Sequence, residues 1–207
     1  MTCDELLQKY PIISDQIDQP ALKVVLGELE KVLRQNVPGY IAELGCYIGT
    51  TSVFIRRLLD AYEQSNVREF HAYDSFAGLP PKTIQDASAM GTDFKAGELK
   101  VSKHQFMREF RRAKLQPPLT HKAWFDELTD TELPSHIAFA FLDGDFYDSI
   151  LTSLQLVWPR LSDGGVITID DYQRETLPGV ERAVRDFFQD KSVHLHQEHN
   201  IAVITSY

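Results

Sequence analysis

Apolar positions along this chain recur with two periods, and the points where one period gives way to the other mark its elements. Leu22, Val25, Leu26, Leu29, Val32 and Leu33 share one helix face, and the run stops at Asn36-Val37-Pro38-Gly39, where proline and glycine break it. The pattern then tightens to an apolar run, Tyr40 to Gly45, that reads as a strand. A loop follows to Gly49, and Thr50-Thr51-Ser52 opens a helix whose apolar stretch runs from Val53 to Tyr62. Glu69 to Asp74 is the next strand, so the unit is a right-handed parallel crossover.

Further strands are expected at Leu119 to Phe125, at His136 to Leu142 and at Val166 to Ile169. A helix with Tyr147, Ile150, Leu151, Leu154, Val157, Trp158 and Leu161 on one face separates the last two. A helix carrying Val180, Ala183, Val184, Phe187 and Phe188 comes next. Ser192 to Gln197 and Ile201 to Ser206, parted by Glu198-His199-Asn200, then close the chain as a hairpin. Strands alternating with helices predict an α/β fold, a Rossmann-like, doubly wound, seven-stranded sheet with an antiparallel C-terminal hairpin strand. Residues 1–39 read as a helical segment packed on a main domain at 40–207. The long excursion Phe76 to Pro118, with a helix around Ser102 to Lys114, reads as a lid or substrate loop.

The chain has 207 residues, enough for one domain with a sizeable core, and its hydrophobic and charged shares of 43% and 25% are those of an ordinary globular protein. A formal net charge of -9 argues against a nucleic-acid partner. Lys103, Arg108, Arg111, Arg112 and Lys114 gather on one amphipathic stretch and read as a solvated helix face. Two cysteines, Cys3 in an expected frayed terminus and Cys46 in the first loop, make neither a disulfide framework nor a zinc spacing. With acidic residues and no long apolar run in the first twenty positions, a cytoplasmic protein without a membrane partner is expected. Homodimerisation is left open.

In open α/β sheets ligands bind beyond the carboxyl ends of the strands, where strand order reverses, which here is the loop after the first strand. Gly45 and Gly49 let backbone approach a ligand closely, but their spacing is not that of a pyrophosphate-binding loop. Adenosylmethionine has no pyrophosphate, and Glu43 can orient its methionine arm while Asp74, assisted by Ser75, accepts the ribose hydroxyls. Asp143 and Asp145 follow the fourth strand, and Asp170 and Asp171 follow the fifth. Any one of them alone would read as a helix cap or a polar turn. Together the two pairs point to a hard divalent ion such as magnesium on Asp143, Asp170 and Asp171. Asp145 is then the base that deprotonates a substrate hydroxyl.

Several stretches carry a resemblance to a known family. Pro38 to Gly45, Asp74-Ser75-Phe76-Ala77-Gly78-Leu79-Pro80, Trp124-Phe125 with Leu133-Pro134, Leu142-Asp143-Gly144-Asp145-Phe146-Tyr147 and Gly164 to Tyr172 resemble the macrocin O-methyltransferase (TylF/MycF) type. Those class I enzymes methylate sugar hydroxyls in antibiotic pathways. The resemblance implies S-adenosyl-L-methionine as cofactor, magnesium on Asp143, Asp170 and Asp171, and a general base at Asp145. It implies cofactor contacts at Glu43, Gly45, Thr51, Asp74, Ser75 and Trp124, a set that Gly49, Thr50 and Asp143 complete. The acceptor is then a hydroxyl, on a sugar or another vicinal diol, of a small molecule. Only about forty residues precede the first strand, short for that family, so a more open site is expected. Two other readings stay open: a metal-dependent nucleotide-sugar glycosyltransferase, from the Asp-x-Asp after a buried strand, and a non-catalytic module that binds adenosylmethionine. A nicotinamide dehydrogenase fits the glycine spacing poorly.

Overall fold

The computed structural model describes residues 1–91 and 93–205. Two short helical elements come first, α1 (Cys3–Lys9) and α2 (Gln19–Arg34), the latter capped by the Asp18 carboxylate on the amide of Ala21 at 2.8 Å. There follow β1 (Tyr40–Leu44), α3 (Thr50–Ala61), β2 (Phe70–Asp74), α4 (Lys103–Ala113), β3 (Leu119–Lys122), β4 (Ile137–Leu142), α5 (Tyr147–Val157), β5 (Leu161–Ile169), α6 (Pro178–Phe188), β6 (His194–Glu198) and β7 (Ile201–Thr205). Ser206, where the last strand was expected to end, lies outside the described residues. Among the described residues the seven strands form one sheet in the order β3-β2-β1-β4-β5-β7-β6. The first five strands run parallel, and β7 is antiparallel to both β5 and β6.

Strand direction decides what each face buries. Ile41 of β1 and Phe139 and Phe141 of β4 pack on Leu22, Leu26 and Leu29 of α2 and on Phe54 and Leu58 of α3. Ala42, Leu44, Ala140 and Leu142, alternating with them, pack on Ile150 and Leu154 of α5 and on Val180 and Val184 of α6. Each such leucine or phenylalanine contributes roughly 1.5–3 kcal/mol on leaving water, so the two layers fix the sheet between them. A smaller cluster under α4 joins Phe106 and Phe110 to Cys46, Val53, Ala72 and Phe76.

Three expectations are corrected. Cys3 is not in a frayed end but 4% exposed within α1, packed in the α2 side of the core. Thr2 and Glu5 form a reciprocal capping box that starts this helix. Leu161 does not extend the face of α5. A 3-10 turn at Trp158–Arg160 ends the helix, and Leu161 opens β5 opposite Ile137, with a register shift before Val166 reaches Phe139. The third strand stops at Lys122, and Phe125 begins a 3-10 turn instead.

Strand order reverses between β1 and β4, whose neighbours β2 and β5 lead away in opposite directions. The carboxyl ends of β1, β2, β4 and β5 therefore converge on one rim. No helix among the described residues is long and apolar enough to cross a membrane.

Candidate functional site

Beyond that rim lies a cavity of about 400 Å³. Gly45, Tyr47, Asp74, Ser75 and Trp124 line one part of it, and Asp143, Asp145, Asp171 and Arg174 another. Gly45 passes so close to β4 that a Cβ built on it would stand 1.8 Å from the Asp143 carbonyl oxygen, and its φ of +92 lies in the left-handed region. Its amide donates to the Tyr73 carbonyl at 2.9 Å, while the Asp143 amide donates to the Leu44 carbonyl at 2.8 Å. These bonds lock the tips of β1, β2 and β4 together, and glycine is what the close approach requires.

Asp74 is already occupied with this loop. Its Oδ2 accepts the amides of Cys46 and Tyr47, each at 3.0 Å, and its Oδ1 accepts that of Phe76 at 2.6 Å. Three donors leave about one of its lone-pair sites for a ligand. Asp74 therefore shapes the glycine loop as much as it faces the cavity. Ser75 forms a local turn, its Oγ accepting the Ala77 amide at 3.1 Å and donating to the Gly78 carbonyl.

Glu43, Gly49, Thr50 and Thr51 are not among the residues that line the cavity. Gly49 starts α3 with φ +94, and its Cα faces the Phe106 ring, leaving no room for a side chain. The Thr50 hydroxyl is 2.9 Å from that of Ser14, in the segment before α2. From that segment Gln16 reaches the cavity wall, so the residues ahead of β1 help to close the site. Glu43 is 1% exposed and accepts a short hydrogen bond from Ser52. Burial, with a smaller push from Asp74, raises its carboxyl to about 8, against the smaller opposing effect of the Ser52 bond.

That value sets a testable pH dependence. A carboxyl whose folded-state pKa is raised holds its proton when the unfolded chain, at about 4.3, has lost it. Its contribution to stability is complete below the lower value and is lost as pH climbs to about 8. Glu43→Gln keeps the shape without the charge. We expect its stability relative to the unsubstituted chain to rise by up to about 1.4 kcal/mol per pH unit between roughly pH 5 and 8. Urea unfolding of both proteins at several pH values checks this, and parallel curves would count against it.

The four aspartates come together as their strands do. The Asp170 amide donates to the Leu142 carbonyl at 3.0 Å, placing the end of β5 beside Asp143. Asp145 and Asp171 sit at φ 58 and 54, in left-handed conformations that turn each chain back toward the rim. Asp170 is 3% exposed, and its Oδ1 accepts the backbone amide of Asp171 and the side-chain amide of Asn200, both at 2.9 Å. The turn of the C-terminal hairpin thus buttresses the end of β5. Burial pushes the carboxyls of Asp143, Asp145 and Asp170 well above the ordinary range. Their aspartate neighbours push the same way, Asp145 and Asp171 acting on Asp143, and Asp171 and Asp170 acting on Asp145. Arg174, whose Nη1 is 2.8 Å from Asp171 Oδ1, is the cation set against them. No three Asp, Glu, His or Cys side chains among the described residues stand at metal-gripping distance. The donor set itself, hard oxygens with excess negative charge, is the kind that suits magnesium rather than zinc or copper.

Sequence reasoning did not find Gln16, Tyr47, Lys82, Asp86 or Arg174, all of which line the cavity. Asp86 is 3% exposed and accepts the Tyr147 amide at 2.8 Å, acting as a tertiary cap for α5, whose own N-cap residue Phe146 offers no side-chain bond. The three-residue spacing of Thr83 and Asp86, a capping-box signal, could have pointed to Asp86, although its reach to α5 could not be read from it.

Comparison with known proteins gives the family and the fold. A family model described as macrocin-O-methyltransferase (TylF) matches residues 16–205. The chain is 32% identical over 165 residues to 8-demethyl-8-(2,3-dimethoxy-alpha-L-rhamnosyl)-tetracenomycin-C 4'-O-methyltransferase of Streptomyces olivaceus, covering 77% of this chain and 61% of that one. It is 31% identical over 189 residues to mycinamicin III 3''-O-methyltransferase of Micromonospora griseorubida, covering 87% of this chain and 72% of the other. The chain thus spans about three fifths of the length of the first relative. Among solved structures, the O-methyltransferase NovP superposes with a TM-score of 0.76 at 25% identity, over 89% of this chain and 78% of that one.

Proposed function

The chain belongs to the macrocin O-methyltransferase family, and from that premise we propose that it moves the methyl group of S-adenosylmethionine to a hydroxyl, on a sugar or another vicinal diol, of a small molecule. The observation that carries this reading is the shared cavity. Gly45, Asp74, Ser75 and Trp124 border it at the ends of β1 to β3, and Asp143, Asp145 and Asp171 border it at the ends of β4 and β5.

Gly45, pressed against the Asp143 carbonyl, keeps the β1 and β4 tips close and borders the cavity with bare backbone. Asp74 and Ser75 take the ribose side and Trp124 offers an aromatic face. Glu43, Gly49, Thr50 and Thr51 act from behind by holding the loop and the start of α3. Bound there, the cofactor supplies an electrophilic methyl group, and a magnesium ion would make the acceptor hydroxyl more acidic. Asp143, Asp170 and Asp171, hard oxygen donors at the ends of β4 and β5, are the residues that would hold that ion. Asp145 takes the hydroxyl proton at its carboxylate as the oxygen attacks in line. The chain's further work is to align the reactants at about 3–3.5 Å and to keep water out. The glycosyltransferase reading is set aside, because the family and the sheet-end geometry account for the Asp-x-Asp without a nucleotide sugar.

We place the acceptor among small molecules of the cytoplasm, a reading in which the negative net charge disfavours a nucleic-acid acceptor. Calorimetry with adenosylhomocysteine, followed by methyl transfer to deoxysugar glycosides with magnesium or with chelator, tests the reading. We expect saturable binding and magnesium-dependent transfer. No binding of adenosylhomocysteine would overturn the function, and equal transfer in chelator would overturn the metal.

A further inference from the structure

Residues 82–91, with Asp93, form a strap across the N-terminal ends of α5 and α6 beside the cavity. The Ser88 hydroxyl donates to the Glu175 carbonyl at 2.7 Å, Arg182 donates to the Gln85 and Ala87 carbonyls, and Arg174 holds Asp93 at the far end at 2.8 Å. Asp86 is fastened differently. Its Oδ2 accepts the Thr83 amide at 2.8 Å and the Thr83 hydroxyl at 3.1 Å, and its Oδ1 accepts the Tyr147 amide at 2.8 Å. A Cβ built on Gly179 would stand 2.0 Å from that same Oδ1 and 2.8 Å from the Tyr147 nitrogen. The carboxylate is thus wedged between the first turns of α5 and α6, neither of which has a side-chain cap of its own. A charged acceptor suits that place, since the first-turn amides and the helix dipoles both present positive charge there.

Tyr147 closely follows Asp145 in the chain, and the stretch between β4 and α5 is an arc fastened at both ends. At the near end the Asp143 amide donates to the Leu44 carbonyl at 2.8 Å, and at the far end the Tyr147 amide donates to Asp86. Within the arc the Phe146 amide turns back to the Gly144 carbonyl at 2.6 Å, and Asp145 takes a φ of 58. There is no slack at Gly144, where an added Cβ would come 2.7 Å from that of Ser149. The Asp145 carboxyl itself, 8% exposed at the cavity, accepts no hydrogen bond from the described residues. Its aim is therefore set by the backbone that carries it.

We propose that Asp86 is a positioning residue for methyl transfer: by holding the start of α5 it aims the Asp145 carboxyl at the acceptor hydroxyl. The inference rests on the reading of Asp145 as the base, and it needs no metal ion. Packing of Ile150 and Leu154 keeps α5 on the sheet whatever stands at position 86. What Asp86 adds is the setting of the first turn, where a shift of about 1 Å is enough to slow a reaction by about 10²-fold. Its effect therefore falls on kcat.

The test uses the full chain. Asp86→Ala should lower kcat about 10- to 100-fold, with acceptor KM and adenosylhomocysteine affinity within about threefold of the unsubstituted values. Its Tyr147 amide should exchange hydrogen faster, a readout that needs neither cofactor nor acceptor. Asp86→Asn keeps an oxygen for that amide and should regain kcat to within about threefold. Gly179→Ala displaces the carboxylate instead of deleting it, and should reproduce the fall even where Asp86→Ala is too unstable to assay. Arg182→Ala loosens the strap without touching Tyr147, so it should lower stability and leave kcat unchanged. In an Asp145→Asn background, Asp86→Ala should slow transfer by less than about twofold more, because the group it aims is gone. A full further loss in that background overturns the inference and leaves the base standing. So does a fall confined to acceptor KM, or a Tyr147 amide that exchanges at the unsubstituted rate. Full turnover by Asp145→Asn overturns the base reading and this inference together.

Discussion

Replacing Asp145 by asparagine is expected to lower the rate of methyl transfer by about 10²- to 10⁴-fold, the usual worth of a general base, while adenosylhomocysteine affinity stays within a few-fold. Asparagine has nearly the same size and is one of the few residues at ease at the φ of 58 that position 145 adopts, so the turn into α5 should survive. What disappears is the only group proposed to take the hydroxyl proton. The substitution should also raise stability near neutral pH, because the carboxyl it removes is destabilised as an anion by burial and then by Asp171 and Asp170. Stability and turnover moving in opposite directions separate a catalytic role from a structural one. The pH profile gives a second check. Activity of the unsubstituted enzyme should rise with pH along a limb above the ordinary carboxylate range, and the asparagine variant should lack it. Turnover above a tenth of the unsubstituted rate would remove Asp145 from the mechanism.

The features that carry this chemistry differ in how openly the sequence displays them. The rim was legible because an apolar strand that stops at a glycine or an acidic residue leaves a local mark: Tyr40 to Leu44 before Gly45, Phe70 to Tyr73 before Asp74, Ile137 to Leu142 before Asp143, Val166 to Ile169 before Asp170. Period and termination lie within a few residues, so the strands and the convergence of their tips follow from the α/β order. Gly45 was legible as a turn, while the reason for it, the Asp143 carbonyl opposite, depends on β1 lying against β4. The strap was hidden for a similar reason. Its bonds join Asp86 to Tyr147 and Asp93 to Arg174, pairs 61 and 81 positions apart with no shared periodicity. Leu161 was misplaced because Trp158-Pro159-Arg160 continues the helical spacing of α5 for one 3-10 turn before the chain becomes a strand. Cys3 is the opposite case: the Thr2 and Glu5 capping box stood in the sequence, but the apolar run behind it was too short to show a period.

The largest effect on stability is expected at Gly45. Alanine there must bring its Cβ to a point 1.8 Å from the Asp143 carbonyl oxygen, at a φ of +92 that a side chain disfavours. The oxygen cannot retreat freely, since the same stretch is tied by the Asp143 amide to the Leu44 carbonyl and by the Gly45 amide to Tyr73. The backbone strain alone costs about 1–3 kcal/mol. Prying apart the β1 and β4 tips brings the loss to roughly 3–5 kcal/mol, at the upper end for single substitutions. That is a large part of the about 5–15 kcal/mol that holds a domain folded. Binding of adenosylhomocysteine should fail even in the folded fraction, because the β1 and β4 tips that border the cavity no longer close. Gly27 supplies the control. It lies within α2, and a Cβ added there would meet nothing inside 4 Å, so Gly27→Ala should stabilise the chain by about 0.5–1 kcal/mol through helix propensity. Urea unfolding of the two variants should therefore shift in opposite directions. A Gly45→Ala protein within about 1 kcal/mol of the unsubstituted chain, a small shift by the usual scale, would mean that the strand tips are far more yielding than this packing allows.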